Sequence, residues 1–188
     1  MTKDIVTIIG TIGALVIGVI GLTTWRRQLR GTSAYDVAKR AVLLTYQLRD
    51  AMQAVRNPML YLRKEEVEVG RRLEEEQRIY DERKRRLQEK WAELRTLSLE
   101  ARVIWGEEAE ACFTLVEKLV RELLAEIWLH FWLKGAYAGP GAAVDNNPER
   151  VAANDKIVYG ASDDDEFSKR IDVAVDQVEE FFKPRIRG

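Results

Sequence analysis

Glu122, Glu126 and His130 stand at i, i+4 and i+8, so a helix through them carries two carboxylates and an imidazole on one face. Carboxylate and imidazole together can ligate iron or zinc inside a helical bundle. The di-iron pattern takes Glu-x-x-His from two helices and further glutamates from others. Here the Glu–His spacing is one residue longer, and His130 is the only histidine in the chain. The three residues therefore read as a charged outer face with a Trp-flanked histidine, and neither metal nor any other cofactor is expected. An ordinary imidazole titrates at about 6.5, which would let His130 sense pH near neutrality.

The other candidate chemistries are thinner. Asp163-Asp164-Asp165-Glu166 could attract a divalent cation, but no EF-hand spacing follows. Acidic residues in a first helical turn, capped by Ser162, account for all four, because negative charge complements the helix dipole. Asp145-Asn146-Asn147 reads as turn chemistry. Cys112 is the only cysteine, so no intrachain disulfide forms. His130 lies 18 residues further along the same apolar pattern. On one continuous helix that is about 27 Å, too far for a Cys–His dyad. No Gly-x-Ser-x-Gly, phosphate loop or dinucleotide fingerprint occurs. The expectation is a protein that is not an enzyme and has no catalytic residues.

The strongest signal is physical. Residues 5–25, IVTIIGTIGALVIGVIGLTTW, hold no charge. A bilayer-spanning helix needs about 20 such residues. Trp25 ends the run, where an indole suits the membrane–water interface. A signal peptide would be shorter and would end in small residues, not in Trp25-Arg26-Arg27. Arg26, Arg27 and Arg30 follow the run, against Lys3 and the amino terminus before it. The positive-inside rule then puts residues 1–4 outside and the rest in the cytoplasm of a cell's inner (plasma) membrane. Gly10, Ala14 and Gly18 recur every four residues with Gly21 beside them, a small-residue stripe that lets membrane helices approach closely.

Beyond the span, charged residues make up 32% of the chain, hydrophobic ones 46%, and the net charge is -1. That balance suits long helices with a solvated face and gives no field to attract nucleic acid. Gly31-Thr32-Ser33 reads as a break, followed by a helix from Tyr35 to Asn57 that Pro58 ends. A charged helix follows from Arg63 to about Arg95, with Leu73, Tyr80, Leu87 and Leu94 seven apart. Gln77 and Lys84 spoil the companion heptad column, so the helix is only partly coiled-coil-like, and its partner is either this chain or a second one. Arg83-Lys84-Arg85-Arg86 lies among acids and reads as a salt-bridged face. A central apolar helix is expected from about Leu97 to Lys134, with Gly106 as a kink or turn. A loop-rich segment with a short helix near residues 149–156 comes next, then an amphipathic helix that Pro184 stops.

The expected fold is all-α: one N-terminal transmembrane helix, then a cytoplasmic helical bundle. Its divisions fall at 1–4, 5–25, 26–134, 135–161 and 162–188. The expected function is that of a membrane-anchored interaction or scaffold protein. Its partners are the lipid bilayer and a second copy of itself or another helical protein. The alternative is a membrane-acting effector or channel component gated by the bundle, and a metal enzyme built on Glu122, Glu126 and His130 comes last.

Overall fold

The computed structural model describes residues 2–137, 147–160 and 165–187; within its first helix, side chains are described at 18, 20–25 and from 31 onward. Seven α-helices and no strand occur among the described residues: α1 (Thr2–Arg56), α2 (Lys64–Glu68), α3 (Arg72–Trp105), α4 (Glu107–Ala111), α5 (Thr114–Leu133), α6 (Pro148–Val158) and α7 (Glu166–Arg187). The all-α expectation holds.

α1 is unbroken through Gly31-Thr32-Ser33, where a break was expected. Gly, Thr and Ser each cost only about 1 kcal/mol or less in a helix interior, and with no proline present the hydrogen-bond ladder continues. The charged helix also departs from its expected ends. Gly70 splits α2 from α3, and α3 then runs through Arg95 to Trp105, past the expected boundary. Gly106 ends it with φ 83° and ψ -166°, a conformation only glycine adopts without strain. The expected central helix is thereby divided into the end of α3, the short α4 and α5. Pro184 lies inside α7 rather than ending it. The missing N–H falls in the last turn, where residues 183–185 are exposed, and Arg185 donates to the Phe181 carbonyl.

The second half of α1, with α3, α5 and α7, forms an up-down-up-down bundle. Arg40 meets Glu100 while Arg83 donates to the Asn57 carbonyl, so α1 and α3 are antiparallel. Glu76–Lys134 and Tyr80–Phe131 pair α3 with α5 in the same sense, and Glu122–Arg170 and Phe113–Phe182 pair α5 with α7. Arg56 at the end of α1 meets Ser168 at the start of α7. Trp105, Phe113 and Phe182 close the near end, where α1 enters.

Burial explains this packing. On α1 the buried positions Ala38, Ala41, Thr45, Leu48, Met52 and Val55 alternate in steps of three and four, a heptad seam. Tyr80, Leu87, Leu94 and Ala101 are its sevenfold counterpart on α3, all fully buried. The charged helix thus packs within its own chain. Lys84, Arg85 and Arg86 form the expected surface ion pairs with Asp81, Glu82 and Glu89. Arg83 instead reaches across to the carbonyls of Val55, Asn57 and Met59, satisfying groups orphaned where α1 ends.

Before it meets the bundle, α1 is exposed at residues 18 and 20–25. Ile20 is 59% and Trp25 57% exposed, and a Cβ added at Gly18, Gly21 or Gly31 would meet nothing within 4 Å. The register that pairs Arg40 with Glu100 puts Tyr35 opposite Trp105, so Trp25 lies about 15 Å beyond the near end. Among the described residues no helix is long and apolar enough to cross a membrane. Residues 5–17 and 19, most of the expected span, lie outside the described side chains, as do Arg26, Arg27 and Arg30.

Candidate functional site

The far end of the bundle holds an unusual set of buried polar groups. The first centre is Arg56, only 1% exposed. Its Nε donates to the Ile157 carbonyl at 2.7 Å, and Nη1 to Ser168 Oγ at 2.7 Å. Nη2 donates to Asp165 Oδ1 at 2.9 Å and to the carbonyls of Lys156 and Tyr159 at 3.2 and 3.4 Å. The Gly160 N–H returns to the Arg56 carbonyl at 2.8 Å, and the guanidinium lies 4.8 Å from the centre of the Phe167 ring. A planar fork of five donors suits such a set of acceptors, and it ties the end of α1 to the end of α6 and the start of α7.

Asp165 also caps α7: its carboxylate accepts from the Ser168 N–H at 2.9 Å and from Ser168 Oγ at 3.0 Å. The cap expected at Ser162 is therefore Asp165, three residues on; residues 161–164 lie outside those described. Burial pushes the Asp165 carboxyl upward, but Arg56 and Ser168 outweigh it, and the net shift is downward.

The second centre is His130, 4% exposed. The expectation of an outer charged face is corrected here, because α6 packs over this side of α5. His130 Nδ1 lies 3.1 Å from Asn154 Oδ1, while Asn154 Nδ2 donates to the Glu126 carbonyl and carboxylate at 2.8 and 2.7 Å. An amide oxygen only accepts, so Nδ1 carries the proton and Nε2 accepts from the Tyr159 hydroxyl at 3.1 Å. Tyr80 and Phe131 pack around the ring, and Lys134 pairs with Glu76 at 2.6 Å beside it. The Tyr80 hydroxyl is buried without a hydrogen-bond partner. Its own pKa is pushed up, chiefly by burial.

This arrangement ties α5 to α6 and α1 to α6 and α7. Of the expected trio, Glu126 is bound to Asn154, and Glu122 points to Arg170 on α7 at 2.5 Å. Glu126 and His130 meet on the Asn154 amide while Glu122 turns away to α7, and no group of three metal-ligating side chains occurs among the described residues. Cys112 caps α4 at the break before α5, so the continuous helix assumed between it and His130 is absent. Its thiol donates to the Ala109 carbonyl, and burial pushes its pKa up to about 12, far from a nucleophile's range. Arg56, Asn154 and Tyr159 were missed in the sequence. Only Asn147-Pro148, which starts α6 with the Asn147 side chain as its cap, hinted that a helix would cover this side.

The buried imidazole has a pH consequence. Burial pushes its pKa below the ordinary value and the charge of Lys134 adds to this, opposed by the Asn154 hydrogen bond and the charges of Asp155 and Glu76. The native state therefore holds His130 neutral, while the unfolded chain protonates at about 6.5. Stability should fall as pH drops through that value and level off below the native pKa. A second loss follows below about pH 4.5, where Asp165 and Glu76, both held low, become protonated. Thermal unfolding followed from about pH 7.5 to pH 5.5 should show the first slope in the natural chain and lose it in His130→Gln. An unchanged slope in the variant would assign it to other groups.

No family model, curated protein or solved structure matches this chain.

Proposed function

We propose that the protein is a single-pass membrane-anchored interaction or scaffold protein that self-associates. In this reading residues 5–25 span the bilayer, and Arg26, Arg27 and Arg30 keep the bundle on the cytoplasmic side of the plasma membrane. The single observation that carries the reading is the exposed stretch of α1 at residues 20–25. It ends a run that is charge-free from residue 5, and Ile20, Leu22 and Trp25 on it lie exposed. Such a surface is costly in water and at home in lipid or against a like helix. The buried Arg56, His130 and Asn154 support a structural role, because each joins one helix to another.

Within the bilayer, Gly10, Ala14, Gly18 and Gly21 supply the close-approach stripe. The test is the full chain in membranes and in mild detergent. Carbonate-washed membranes should retain the natural chain, and light scattering should give a mass above the monomer. Gly10→Ile, Ala14→Ile and Gly18→Ile together should leave membrane retention intact and reduce the mass to that of one chain. Release by carbonate would sink the anchor, and an unchanged mass in the triple variant would sink the stripe.

A further inference from the structure

We draw no further inference here: the strongest candidate, the exposed apolar tip of α3 at Leu99, Val103 and Ile104 on the near end of the bundle, carries nothing because nothing in the structure shows what covers it.

Discussion

Replacing Arg56 by methionine should cost about 3–5 kcal/mol, the usual result of removing one partner from a buried charged pair. Methionine keeps most of the buried stem, so the loss isolates the guanidinium. Without it Asp165 keeps a charge in a mostly buried place, and the carbonyls of Lys156, Ile157 and Tyr159 lose their donors together. These groups do not lie on one element. They belong to the last turn of α6, the linker after it and the cap of α7, so the loss frees one end of the bundle and not one contact. In a chain of this size the melting temperature should drop by roughly 10 °C. Arg56→Lys should recover little, because a single ammonium cannot reach a planar set of acceptors. Adding Asp165→Asn to Arg56→Met should recover part of the loss, since the unpaired carboxylate is then gone, though the carbonyls remain unsatisfied. Circular dichroism melts of the natural chain and these three variants, each full-length in mild detergent, give the three differences. A loss under about 1 kcal/mol for Arg56→Met would mean that water serves those carbonyls as well as the guanidinium does.

Nothing in the sequence singles out Arg56. Next to Asn57-Pro58 it looks like a basic residue closing a helix, favourable to the dipole and otherwise ordinary. Its importance comes from Ser168 and Asp165, more than a hundred positions away, which periodicity cannot connect. His130 was misplaced for the same reason. On its own helix it follows Glu122 and Glu126 along a charged face, and only the docking of α6 buries it. What depends on local order was readable. The sevenfold spacing of Tyr80, Leu87 and Leu94 is the buried seam of α3, although the poor companion column left its partner open. Helical spacing of apolar residues marks Ala38, Leu48, Met52 and Val55 in the α1 seam, and it does not mark Thr45. Thr45 is polar, and it enters the seam because its hydroxyl donates to the Ala41 carbonyl within the same helix. Helix ends failed where a residue's usual effect is weak. Glycine at 31 was tolerated, whereas glycine at 106 was decisive because its φ is positive.

Phe131→Ala should be the second severe change, at about 3–5 kcal/mol. Phe131 is 1% exposed, with the Tyr80 ring edge-on at 5.3 Å and the His130 ring edge-on at 5.4 Å. Few other contacts join α3 to α5, so Tyr80 and Phe131 carry much of that seam, and a cavity there also loosens the wall that orients His130. The companion variant is Tyr80→Phe. The Tyr80 hydroxyl has no hydrogen-bond partner, so its removal gives up no bond and relieves a desolvated polar atom. Stability should stay level or rise by up to about 1 kcal/mol. Thermal melts of the two variants therefore separate ring packing from polar linkage at the same junction. If Tyr80→Phe instead lost more than about 1 kcal/mol, its hydroxyl would be bonded in solution, and the nearby Tyr159 hydroxyl, which already donates to His130 Nε2, would be the acceptor to examine. A chain from Tyr80 through Tyr159 and His130 to Asn154 would then make the pH slope at His130 depend on Tyr80, and the slope measured in Tyr80→Phe decides whether it does.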